Sequence, residues 1–149
     1  MDHLVFLNAK YNELENLLSG IKTMIIRGAK SLKIPNGRVK EGDTLYFVNS
    51  KCEGEISARG KVSSVFCSGM LTVEESFEII IKNQDKLQLP DNQFERIAGS
   101  RYLMLVGVEN TEKITPLRIE LNRLSGLEDW YTVDNIGEFI LSGHGIISA

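Results

Sequence analysis

Hydrophobic and polar positions follow two periods along this chain. The run His3 to Asn8 (HLVFLN) predicts a short strand. Leu14, Leu17, Leu18 and Ile21 then recur at helical spacing. Asn12, with Glu15 three residues on, predicts a reciprocal cap for that helix, and Gly20 suits its exit. Lys22 to Arg27 predicts a second strand. Its alternation puts Thr23, Ile25 and Arg27 on one face and Lys22, Met24 and Ile26 on the other. Gly28 to Glu41 reads as a loop marked by Pro35-Asn36-Gly37.

Gly42-Asp43 turns into a third strand, Thr44 to Asn49, and Lys51 to Gly54 predicts a hairpin connection. Glu55 to Phe66 alternates as a fourth strand, with Ile56, Ala58, Gly60 and Val62 on one face and Gly60 suited to a bend or bulge. Thr72 and Glu75 form a capping-box signature ahead of an apolar stripe of Val73, Phe77, Ile80 and Ile81. Asp91 to Ala98 predicts a short helix ended by Gly99. Arg101 to Glu109 is the strongest core strand, and Ile114 to Ile119 predicts a further one, placed at an edge by Pro116. The last 25 residues carry no pattern that assigns them. The order of elements predicts an α+β domain built on a small, partly closed β-barrel of about five to six strands with peripheral helices.

The chain has 149 residues, which suits one domain able to bury a core without disulfides or metal. Its N-terminal apolar run is too short for a signal peptide, and no run approaches a membrane span, so a cytoplasmic protein without a membrane partner is expected. Cys52 and Cys67 fit that compartment as free thiols. His3 and His144 lie near opposite ends, so the spacing of a zinc site is lacking, and neither metal nor cofactor is expected.

The net charge of −3 conceals a segregation. Lys22, Arg27, Lys30, Lys33, Arg38 and Lys40 stand in 19 residues without an acid, leaving a net −9 on the rest. A basic surface on an acidic body suits a phosphate-rich partner, although a run of charge is also the ordinary composition of a solvated loop.

At this point GIKTMIIR, Gly20 to Arg27, resembles the G-x-K-T-[hydrophobic]-E/T-[hydrophobic]-R signature of the ASCH domain, in the PUA-like superfamily. Gly42-Asp43-Thr44-Leu45 resembles that family's lead into its next strand. The resemblance spans roughly Leu4 to Glu109 as the core of a single domain, with residues 110–149 as a C-terminal extension similar to that of a small bacterial subgroup. It implies a small pseudo-barrel with a cleft beside the first helix and the strand after it, in a superfamily many of whose members bind RNA. The family's cleft positions fall on Lys22, Thr23 and Arg27. Arg offers a planar fork of donors, Lys a point charge, and Thr a donor or acceptor.

One position departs from the signature. In a bacterial branch that acts as an amidohydrolase on 4-acetylcytidine, the place of Ile25 holds the proposed Thr nucleophile, partnered by a Lys matching Lys22 and a Glu elsewhere. Isoleucine has neither lone pair nor labile proton and cannot attack an amide carbon. Glu74, Glu75 and Glu78 are base candidates by position only, and Glu75 suits a helix cap better. The sequence holds no P-loop and no dinucleotide fingerprint.

The reading is therefore an RNA- or nucleotide-binding module with Lys22, Thr23, Arg27, Lys30, Arg38 and Trp130 as ligand-binding candidates and no assigned catalytic residue. Trp130, the single tryptophan, serves either as a base-stacking platform or as the anchor of the extension. The alternatives are a hydrolase of a modified nucleoside or of RNA, and a protein-interaction adaptor. The oligomeric state is left open.

Overall fold

The extended runs become six strands: β1 (Asp2–Phe6), β2 (Met24–Ala29), β3 (Thr44–Val48), β4 (Glu55–Cys67), β5 (Tyr102–Arg118) and β6 (Trp130–Val133). The helices are α1 (Glu13–Ser19), α2 (Val73–Lys82), α3 (Gln84–Leu87) and α4 (Asp91–Ile97). These elements come from a computed structural model that describes residues 1–29, 38–49, 54–120 and 129–140. The strands form one curled sheet, a half-barrel, in the order β2-β5-β4-β3-β1-β6. Only β1 and β3 run parallel; every other pairing is antiparallel. Among the described residues the edges of the sheet are thus β2 and β6, which lie far apart in sequence.

Alternation along the strands sorts the apolar residues into three packed clusters. The first gathers residues from all six strands: Val5, Ile25, Phe47, Ala58, Met104, Val106 and Trp130, with Leu14 and Leu17 of α1 laid against them. The second joins Met24, Ile26, Leu103 and Leu105 to Ile80 of α2 and Leu87 of α3. The third combines Leu4, Phe6, Val48 and Ile56 with Ile119 and Ile136. Ile25 and Ile26 therefore face opposite layers, as the alternation of Lys22 to Arg27 requires.

Bulges explain how one strand serves two layers. Phe47 pairs with Ala58 while the next residue, Val48, pairs with Ile56, so one extra residue of β4 is inserted there. Ile56 consequently joins Val48 in the third cluster, and Ala58 joins Phe47 in the first. Against β5 the register slips again between Arg59 and Lys61, around Gly60. A Cβ at Gly60 would lie 3.0 Å from Val108 Cγ1, which explains the glycine expected at a bulge.

Several local signals hold. Thr72 and Glu75 make both bonds of a capping box. Gly20 ends α1 with φ +83°, a conformation that favours glycine. Others are corrected. Asn12 has φ 53° and makes no side-chain cap; it follows a 3₁₀ turn, Ala9–Tyr11, whose own cap is Asn8 accepting from Lys10 N at 3.0 Å. Asparagine tolerates that left-handed conformation, and the turn leaves its side chain no helix N–H to meet. Ile21 lies beyond the Gly20 exit and is exposed. On α2, Val73, Phe77 and Ile81 face solvent, while Ser76 and Ile80 are buried, because the helix turns a narrower face to the sheet than its apolar content suggests.

The two expected strands around residues 101–119 are one continuous strand, β5, of 17 residues. β2 pairs with its first part, Tyr102–Gly107, and β4 pairs along it as far as Arg118, so Pro116 lies within the second half of a long strand and not in a separate edge strand. The unassigned C-terminal region supplies β6, which pairs antiparallel with β1. Cys67 is a free, half-buried thiol, while Cys52, Lys33 and His144 lie outside the described residues. No helix among the described residues is long and apolar enough to cross a membrane.

Phe47 is fully enclosed by the first cluster. Phe47→Ala is expected to cost about 3–5 kcal/mol in urea denaturation. Ile81→Ser, on the exposed side of α2, is expected to change stability by no more than about 0.5 kcal/mol.

Candidate ligand cleft at the barrel seam

Arg27 follows Ile25 by two positions on β2 and so projects toward the same concave side, near the barrel mouth. Its guanidinium donates from Nη1 to its neighbour's carbonyl, Ile26 O, at 2.9 Å and from Nη2 to Phe6 O on β1 at 3.1 Å. Its Cζ lies 5.7 Å from the centre of the Trp130 ring. Arg27 stands on one edge of the sheet and Trp130 on the other. One side chain therefore bridges the seam that the sheet's hydrogen bonds leave open. Backbone bonding from Phe6 N to Asp129 O, 2.9 Å, ties the start of β6 to the same place.

Beside this bridge is a cavity of about 490 Å³. Phe6 to Ala9 and Tyr11 form one wall, and Gln93, Arg96 and Ile97 of α4 form another; Asn49 and Asp129 complete it. Arg27 and Arg96 bring positive charge, and Glu13 and Asp129 bring negative charge. Asn8, Tyr11, Asn49 and Gln93 add hydrogen-bonding groups without charge. Two polar atoms of lining residues, Arg27 Nε and Gln93 Oε1, are buried without a hydrogen-bond partner among the described residues. A buried donor or acceptor left unpaired costs about 1–3 kcal/mol.

Lys22 sits beneath the cleft, with 2% of its side chain exposed. Its ammonium donates to Leu87 O and lies 3.9 Å from Glu13 Oε2. The other carboxylate oxygen of Glu13 accepts from Asn8 N at 3.1 Å, so the buried pair braces the wall that carries Asn8. Burial lowers the Lys22 pKa to about 8; Glu13 opposes that shift and the nearby Arg27 adds to it.

Of the candidates read from the sequence, the structure brings Arg27 and Trp130 together. Lys22 lies below them and is enclosed. Thr23 is exposed and joins the fold through its backbone, donating to Lys86 O and accepting from Val108 N. Arg38 lines a separate cavity of about 840 Å³ with Lys40, Asp43 and Thr132. Lys30 lies outside the described residues. Trp130 is buried in the first cluster and is not an open platform; one face meets Arg27 and one edge meets His3. Ile25 is fully enclosed in that same cluster. Glu75 is occupied in the α2 cap.

Sequence reasoning missed Asn8, Glu13, Asn49, Gln93 and Arg96. Gln93 left a readable sign. It precedes Ile97 by one helical turn, so a polar residue occupies the inward face of a short helix. Glu13 left none, because nothing local pairs it with Lys22. Among the described residues, no group of three or more His, Cys, Asp and Glu side chains is placed to hold a metal ion.

No protein-family model matches the chain, and no curated protein matches it. Solved structures do. The crystal structure of ASCH from Zymomonas mobilis superposes on 99% of this chain and 94% of its own, with a TM-score of 0.63 at 10% sequence identity. A Tyr-to-Phe variant of that protein gives a TM-score of 0.66 at 9% identity, over 99% of this chain and 96% of that one. A Ser-to-Ala variant gives 0.65 at 10% identity, over 99% and 94%. The chain thus has the fold of the ASCH structures, an α+β, PUA-like, partly closed barrel, as the residues Gly20 to Arg27 and Gly42 to Leu45 suggested. At this identity the likeness concerns the fold, and the site's chemistry rests on the residues above.

Removing one member of the Lys22–Glu13 pair leaves the other charge buried. Lys22→Met is expected to destabilise the protein by about 3 kcal/mol, with the double variant Lys22→Met/Glu13→Gln recovering most of the loss. The unfolded chain holds the Lys22 proton up to pH 10.5, the folded chain only to about 8. Wild-type stability should therefore gain from Lys22 as pH rises between those values, a gain absent in Lys22→Met. Urea denaturation of both proteins at pH 8 and pH 10 checks the sign.

Proposed function

We propose that the protein binds RNA or a nucleotide-like ligand, with one nucleotide unit seated in the cleft between Asn8, Arg27 and α4. The observation that carries this reading is Arg27. Its guanidinium is fixed by two backbone carbonyls and a tryptophan face, yet its Nε remains unpartnered among the described residues beside an open cavity. An arginine held so rigidly loses little conformational freedom when it meets a phosphate or a base edge. The cavity lies in the ordinary size range of small-ligand sites, about 300–1,000 Å³. Arg96, at the exposed end of α4, is the second cation on the rim. The mixed charge of the lining suits a ligand with polar and apolar parts better than a bare anion.

The resemblance to a superfamily with many RNA-binding members supports the same reading. The hydrolase reading gains a lysine with lowered pKa beside a carboxylate, but Lys22 is enclosed and Ile25 supplies no nucleophile. The binding reading is the stronger one.

Fluorescence anisotropy of a labelled single-stranded RNA tests it. With two phosphates neutralised, affinity should fall about sevenfold between roughly 50 and 200 mM salt. Arg96→Ala should weaken binding at least about fivefold without altering the melting temperature, since one charge-assisted contact to an exposed side chain is lost. Arg38→Ala, in the other cavity, should leave affinity within about twofold. Binding that ignores both salt and Arg96 would refute the cleft as the site.

A further inference from the structure

We infer that His3 is a positioning residue for the cleft, and that its protonation releases Trp130 and thereby unsettles Arg27. This rests on the cleft reading above only where it concerns ligand affinity; the relay itself stands on its own geometry.

His3 is on β1 and is fully buried. Its Nε2 lies 2.8 Å from Asp43 Oδ2, and its Nδ1 lies 3.2 Å from Trp130 Nε1 and 3.1 Å from Thr132 Oγ1. An indole N–H can only donate, so Nδ1 must be the acceptor and the proton of the neutral ring sits on Nε2, facing the carboxylate. Three strands are thereby joined through one imidazole. Asp43 belongs to the Gly42-Asp43 turn ahead of β3, Trp130 and Thr132 to β6, and His3 to β1 between them. The Asp43 carboxylate is itself fixed by Lys40 N at 2.9 Å, and Gly42, with φ +89°, makes the turn that aims it. The residues that resembled a family motif thus do work that the cleft does not explain.

A second proton must go to Nδ1. It would face the Trp130 N–H, two donors about 3 Å apart, and the only other group at that nitrogen among the described residues is the Thr132 hydroxyl. If the new N–H turns to Thr132, Trp130 loses its acceptor inside the core; in either case the indole is displaced. Trp130 is the surface on which Arg27 rests, so the disturbance reaches the cleft directly.

The charges around His3 come from three elements. Asp2 lies on its own strand and the Met1 ammonium just ahead of it, 3.6 Å from Asp43; Asp43 faces it from the turn before β3; Arg27 of β2 lies over the face of Trp130. Burial dominates and favours the neutral ring, Asp43 and Asp2 oppose it, and the ammonium adds to it, so the pKa falls below the ordinary 6.5. Because the unfolded chain takes up this proton first, the relay's contribution to stability is complete above pH 6.5 and is lost as pH falls toward the folded value. Asp43 loses its contribution in the same direction, at lower pH.

Trp130 is the only tryptophan, so its emission reads the relay without a label. Emission of the full chain should change as pH is lowered from 8 through the range in which the protein stays folded, with a midpoint below 6.5, while far-ultraviolet circular dichroism stays constant. Asp43→Asn, which removes the carboxylate that favours protonation, should move that midpoint to lower pH; His3→Gln should abolish the transition. If His3→Gln does not fold, the Asp43→Asn shift carries the test. The labelled RNA should bind at least about twofold more weakly below the midpoint, the lower bound for loss of one cation–π contact. Emission that stays flat while the protein remains folded would overturn the relay. A transition in emission with no RNA binding at any pH would uphold the relay and refute the proposed function instead.

Discussion

The seam between β2 and β6 is the constraint on which the rest of the structure depends. A curled sheet whose edges do not pair must cover them with side chains or leave polar backbone exposed to an apolar interior. Here Arg27 spans the gap, holding the carbonyls of Ile26 and Phe6 and lying over Trp130. An aliphatic residue at position 27 would close the interior but satisfy neither carbonyl. The arginine therefore has a structural reason to be where it is, and the cavity lies beside it. The position that closes the seam is also one that lines the cavity.

Much of this architecture was legible from periodicity. The alternation from Lys22 to Arg27 separated Ile25 from Ile26 correctly, because a strand buried on both sides still sends successive side chains to different layers. The Thr72–Glu75 box marked α2, since both of its bonds are local. What failed was non-local. The break expected between residues 109 and 114 does not exist, because β4 continues to pair with β5 through the charged stretch. β6 escaped notice because four residues, WYTV, become a strand only against β1. The stripe on α2 misled because Val73, Phe77 and Ile81 match the helical period without facing the core.

The candidate site was legible in one residue and obscure in its surroundings. The bracket Lys22-Thr23 and Arg27 raised suspicion on composition, yet its members part company once the chain folds. Arg27 reaches the seam, Lys22 is drawn inward to Glu13, and Thr23 stays outside. Local spacing cannot foresee this, because the partner of Lys22 lies one helix earlier and that of Arg27 lies on two different strands. The basic run from Lys22 to Lys40 likewise does not form one patch among the described residues: one lysine is enclosed, and Arg38 and Lys40 line another cavity. Gln93 and His3 show a common sign, a polar side chain at a position whose pattern calls for an apolar one.

The most direct test of the account is a nuclear magnetic resonance titration of ¹⁵N-labelled protein with a short single-stranded RNA, following the side-chain N–H signals of Arg27, Gln93 and Trp130. Saturable shifts in all three, larger than those of the Arg38 and Lys40 signals, are expected if the seam cleft is the binding site. Shifts that gather at Arg38 and Lys40 while the Arg27 Nε–H signal stays fixed would contradict it, leaving the seam a purely structural closure.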